Sequence, residues 1–176
     1  MDPIQKPRIV ISSCLLGQNV RYDGSHKKDE QLIRWLSPLC EFVPLCPEVA
    51  IGLGVPRPPI QLTGRADHPE ATGVDDPQIN ATRALKEYAR LISHELGDIS
   101  GLVFKSRSPS CGIGDVPVVT RKVSLSNGTG IFAAALTRLF PRAPAATEVL
   151  LRDLTAREHF MEQVARYTQT QHLARK

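Results

Sequence analysis

"PRIVISSC", residues 7–14, decides how this chain folds. Ile9, Val10 and Ile11 form a short run of β-branched residues, and the run ends in two serines and Cys14. That pattern reads as a strand buried on both faces rather than half-buried, because no polar residue alternates with the apolar ones. Two further runs share its character: "CEFVPLC" (40–46) and "ISGLVF" (99–104). Helical spacing fills the intervals. Leu32, Trp35, Leu36 and Leu39 fall on one helical face behind Asp29, a candidate cap. "DDPQINATRALKEYARLISHELG" predicts a long helix capped by Asp76, with Pro77 in its first turn and Gly97 at its end. Its apolar stripe is Ile79, Leu85, Tyr88, Leu91, Ile92 and Leu96.

The remaining segments are read in the same way. "TGIFAAALTRLF" predicts a further helix, "VPVVTRKVSL" an extended arm or strand, and "TEVLLRD" stays ambiguous. The stretch from Val49 to Gly73, rich in Gly and Pro, is expected to be a long loop. In "TAREHFMEQVARYTQ", Thr155 and Glu158 suggest a capping box, and Phe160, Met161, Val164 and Tyr167 make a packing face. Strands alternating with helices define an α/β fold, a parallel sheet covered by helices on both faces. The chain of 176 residues divides into an α/β domain over 1–150 and a C-terminal helical tail over 151–176. The tail is either packed on that domain or an oligomer contact.

Composition narrows the setting. Hydrophobic residues at 41% suffice for an ordinary core, and no run approaches the roughly 20 apolar residues that span a bilayer. "MDPIQKPR" at the start carries no apolar signal region, so the expected location is the cytoplasm, where thiols stay reduced. The net charge of +4 and pI near 9.0 are mild. Lys and Arg are scattered, which favours a solvated surface over a nucleic-acid stripe.

The four cysteines carry the chemistry. Cys14 and Cys46 end the first and second predicted strands, and Cys111 lies a short loop beyond the third. In a parallel sheet all strand C-termini share one edge, where ligands bind, so these three thiols are expected to meet there. Cys40 precedes its strand, falls at the opposite edge and reads as a small buried hydrophobe. Three thiolates can serve a zinc site, with His26 or His68 as a fourth ligand, or an iron–sulfur cluster. A four-iron cluster held by three cysteines leaves one iron open, a Lewis acid with affinity for soft sulfur.

Other polar residues gather near these thiols in the sequence. Glu48, two residues after Cys46, is a candidate to handle the protons of an attacking water. Ser106, Ser108 and Ser110 flank Cys111, with Lys105 and Arg107 adding positive charge. Arg21, Tyr22 and Asp23 offer donors, a stacking ring and an acceptor. Two other functions fit parts of the pattern: a basic, metal-stabilised nucleic-acid-binding module, or a persulfide carrier built on Cys111 with a depressed thiol pKa.

Three blocks in order, "SSCLLGQNVRYDG", "VPLCPEVAIGLGVPRPPIQL" and "FKSRSPSCGIG", resemble the thiouracil desulfidase family from about Ile9 to Glu148. The resemblance implies a Rossmann-like α/β fold and a [4Fe-4S] cluster on Cys14, Cys46 and Cys111. It implies non-redox removal of sulfur from 2-thiouracil-type bases, giving uracil and hydrosulfide, with Glu48 assisting the water. It implies a helping serine, for which Ser108 is the choice and Ser106 and Ser110 are rivals. Family members commonly carry an acidic residue after the "PRPP" run where this chain has Gln61, so no role is assigned there.

Overall fold

The computed structural model describes residues 6–65, 67–120 and 124–174, and the side chains of these except 124–127 and 174. "RIVIS" forms strand β1 (Arg8–Ser12) at the centre of the fold. It pairs in parallel with β2 (Glu41–Leu45) on one side and with β5 (Gly101–Phe104) on the other. β8 (Ala145–Thr147) adds a fourth parallel strand beside β5, giving the order β2-β1-β5-β8. All four therefore end at one edge of the sheet.

Alternation along β1 and β5 separates two apolar layers. Ile9, Ile11 and Val103 face α1 (Glu30–Leu36) and α5 (Leu154–Ala174), where Leu32, Leu36, Phe160 and Val164 are buried. Val10, Leu102 and Phe104 face α3 (Thr82–Leu96) and α4 (Ile131–Leu139), through Leu85, Ala89, Phe132 and Leu136. The expected α/β architecture, a parallel sheet with helices on both faces, is present. α5 is a helix of that one domain: a Cβ on Gly101 would lie 3.1 Å from Val164 and 3.2 Å from Phe160, so helix and strand approach closely.

A second sheet corrects the expected long loop over 49–73. Ile60–Arg65 (β3) and His68–Gly73 (β4) form an antiparallel pair, and β3 also pairs in parallel with β6 (Val116–Val119). β7 (Ser124–Gly128) completes the order β4-β3-β6-β7. "VPVVTRKVSL" thus supplies two strands, while residues 121–123 of it lie outside the described residues. Leu62, Ala71, Val116 and Val118 carry this sheet into the α3–α4 layer. "TEVLLRD" resolves into the end of β8 and a 3₁₀ turn, Leu150–Arg152.

Local chemistry explains the helix boundaries. Asp29 caps α1, accepting the Leu32 N–H at 2.9 Å. Asp76 does not cap α3. Its carboxylate accepts the Gln78 N–H at 3.0 Å, and Asn80 accepts that of Thr82 at 3.0 Å, so two successive side-chain turns occupy the segment and the helix starts at Thr82. Gly97 ends it, as expected, at φ +59°. Leu91 is 50% exposed and leaves the predicted stripe, its place taken by Ala89; Leu39, beyond the end of α1, is exposed as well. The N-cap of α5 is Asp153, accepting the Ala156 N–H at 2.8 Å, rather than Thr155 of the expected box.

Candidate active site

The sheet's carboxyl edge gathers the three cysteines singled out above. Cys14 sits in the 3₁₀ turn Ser13–Leu16 directly after β1, and that turn ends at Gly17 with φ +92°. Cys46 follows β2 and opens the short helix α2 (Pro47–Ala50). Cys111 lies in the loop after β5. All three line one cavity of about 480 Å³. Cys40, just before β2, does not line the cavity and is buried among Leu36 and Ile9.

Several backbone bonds fix the Cys111 loop. Gly112 N–H donates to Ser108 O at 2.8 Å, and the first turn of α4 donates to its carbonyls: Gly130 to Gly112 at 2.7 Å, Ile131 to Pro109 at 3.0 Å, Ala133 to Ser110 at 3.0 Å. Arg107 adopts φ +57°, and its N–H reaches the Asp115 carboxylate at 3.1 Å. Ser108 Oγ accepts the Cys111 N–H at 3.1 Å, so this cavity-lining hydroxyl orients the Cys111 loop.

Burial governs the thiols. It pushes Cys14 from 9.0 to about 11, with Cys46 adding to the rise and Lys105 opposing it. It raises Cys46, against backbone N–H groups of Val49 and Glu48 aimed at the sulfur. It drives Cys111 well up, against a hydrogen bond from Ser12. The depressed Cys111 thiol that the persulfide-carrier reading required is absent: burial and the neighbouring Glu48, Cys14 and Cys46 all push the thiol up, and only the Ser12 hydrogen bond opposes them.

Glu48 lines the cavity with every oxygen engaged. Its Oε2 accepts Arg57 Nε at 2.9 Å and lies in ion-pair contact with Nη2 at 2.9 Å, and its Oε1 accepts the Ser110 hydroxyl at 2.8 Å. Ser110 is fully buried behind the wall. Ser106 lines the cavity and is tied to Glu148, whose carboxylate accepts the Ser106 N–H at 2.6 Å, its hydroxyl at 2.7 Å and the Lys105 ammonium. Arg21 and Tyr22 stand at the mouth, the guanidinium 5.4 Å from the ring centroid; Arg21 Nε is buried with no hydrogen-bond partner among the described residues and lies 3.7 Å from Asp23 Oδ1. Asp23 is not part of the lining; its carboxylate accepts the Ser25 N–H and hydroxyl. Neither His26 nor His68 lines the cavity. His26 Nδ1 accepts the Lys28 N–H at 3.1 Å, and His68 lies on β4 beside a separate groove.

The sequence reading missed Arg57, Glu148 and Ser12. Arg57 was visible only as one of the residues of "VPRPP", and Glu148 only as part of an ambiguous segment.

The donor set is soft: three thiols line one cavity, the ligand type that iron–sulfur groups take. Among the described residues no three His, Cys, Asp or Glu side chains are grouped closely enough to hold one metal ion. Arg21, Lys27, Arg57, Lys105 and Arg107 line the same cavity against one carboxylate, Glu48, a balance that favours an anionic occupant.

Such a cavity, at the carboxyl ends of three adjacent parallel strands, defines the chain as an α/β domain with a thiol-lined ligand site. A family model described as 2-thiouracil desulfurase matches residues 9–148, and the chain belongs to that family. It is 33% identical over 152 residues to YbbK, an uncharacterized protein of Bacillus subtilis (strain 168), across 80% of this chain and 97% of that one. Among solved structures it is similar to a [4Fe-4S]-dependent thiouracil desulfidase, TudS, with a TM-score of 0.66 and 31% identity, covering 85% of this chain and 96% of that chain.

Proposed function

We propose that this protein is a [4Fe-4S]-dependent desulfidase acting without net redox change on 2-thiouracil-type bases. The observation that carries the reading is the meeting of Cys14, Cys46 and Cys111 around one cavity that also holds Glu48. The three thiolates would hold the cluster. When bound, the cluster supplies one iron without a cysteine, a Lewis acid with affinity for the thiocarbonyl sulfur.

The chain's own residues do the rest. Arg21 and Tyr22 hold the pyrimidine at the mouth, the ring by stacking and its acceptors by the guanidinium. Glu48 takes a proton from the attacking water. The water oxygen bonds to the ring carbon, its second proton passes to sulfur, the carbon–sulfur bond breaks, and sulfur leaves as hydrosulfide with the bonding pair. The carbon keeps its oxidation state, so no reductant enters. Ser108 keeps Cys111 in place through the Cys111 N–H, and its own proton remains available to the substrate. Lys105, held by Glu148 and Ser106, balances negative charge beside Cys14. The free cysteines suit a reducing cytoplasm. No described helix is long and apolar enough to cross a membrane.

Anaerobic purification tests this. The protein should be brown, contain about four irons per chain, and convert 2-thiouracil to uracil with release of one sulfide. Full activity in colourless, iron-free protein would overturn the assignment.

A further inference from the structure

Arg57 is a buried cation in the cavity wall, 8% exposed, and each of its three guanidinium nitrogens has a partner. Nη1 donates to Gly54 O at 2.7 Å, and the backbone N–H to Tyr22 O at 2.9 Å. Nε and Nη2 both converge on Oε2 of Glu48, each at 2.9 Å. A carboxylate oxygen has two lone pairs. Oε2 is therefore taken up by the guanidinium, through the Nε hydrogen bond and the Nη2 ion-pair contact, whereas Oε1 spends one lone pair on Ser110 and keeps the other.

We infer that Arg57 is the positioning residue for proton transfer: by occupying Oε2 of Glu48 it leaves Oε1 as the atom that takes the proton from water. This rests on the reading of Glu48 as proton acceptor. The planar guanidinium sets the carboxylate's rotation, because two N–H groups on one oxygen and a hydroxyl on the other define a single orientation. Arg57 also ties that orientation to the segment carrying Arg21 and Tyr22, through the Tyr22 carbonyl. The base and the substrate-holding segment thus share one fixed point.

The test is a double-mutant cycle on anaerobically reconstituted protein: wild type, Glu48→Gln, Arg57→Ala and the double variant, with iron content measured beside kcat and KM for 2-thiouracil. Arg57→Ala should retain iron and KM and lose on the order of 10²-fold in kcat, the cost of a misplaced reacting group. The double variant should be no slower than Glu48→Gln alone, since Arg57 acts through that carboxylate. Millimolar guanidinium should restore part of the turnover of Arg57→Ala and none in the double variant. Arg57→Lys keeps a cation without the planar fork, and it should load iron yet turn over more slowly than wild type. Wild-type kcat in Arg57→Ala or Arg57→Lys, or multiplied losses in the double variant, would overturn the inference. Wild-type turnover in Glu48→Gln would instead remove the proton-acceptor reading, and Arg57's role with it.

Discussion

Cys111 and Cys40 are both buried thiols, and only their place in the fold separates them. Cys111 opens on the cavity after β5, whereas Cys40 precedes β2 and packs on Leu36. Cys111→Ala should abolish iron retention while Cys40→Ala leaves it intact; iron and sulfide analysis of the two purified variants decides this, and equal retention would break the ligand assignment. Cysteines at strand ends were legible because a parallel sheet makes sequence position predict spatial position. The carboxylate partners were not. Arg57 reaches Glu48 from nine residues away and Lys105 reaches Glu148 from 43, through loop and sheet geometry that no local pattern encodes. Asp23 was singled out with Arg21 and Tyr22, and it lies outside the cavity lining, its Oδ1 accepting the Ser25 N–H and hydroxyl two positions on.

Among the elements, α4 links core to site. It begins at Gly130, whose absent side chain allows close approach: a Cβ there would lie 2.4 Å from Ser110 C and 2.5 Å from Cys111 N. Gly130 has φ −56°, which any residue adopts, so the constraint is contact rather than backbone strain. Gly130→Ala must push either the helix or the Cys111 loop away. The helix is anchored by buried Phe132 and Leu136, so the loop should yield. The variant should keep its helical circular dichroism while binding substoichiometric iron; full iron loading would show that the helix moves instead. The elements the sequence misjudged have physical reasons too. β3 and β4 contain "TG" and "PEATG", poor in branched residues, and their pairing comes from β6 and α3, with Thr82 Oγ1 accepting the Ala71 N–H at 2.9 Å.

At the scale of the molecule, the central sheet is covered by α3 and α4 on one face and by α1 and α5 on the other. Phe160 is 4% exposed and Val164 fully buried, against Ile9 and Gly101, and Arg157 lies 5.2 Å over the Trp35 ring of α1. Removing residues 151–176 strips one face from β1 and β5, the strands that lead into Cys14 and Cys111. Phe160→Ala alone should cost about 3–5 kcal/mol. That is a large share of the roughly 5–15 kcal/mol that holds a typical domain together. Its melting temperature should therefore fall by roughly 6–20 °C, at about 2–4 °C per kcal/mol for a chain of this size. The fragment 1–150 should lack a cooperative transition, since it loses Leu151 and Val164 as well as Phe160. Iron loading should fail with it, because the strand ends that aim the thiols are no longer held from below. A fragment that melts cooperatively at the full chain's temperature would instead make the tail an appendage.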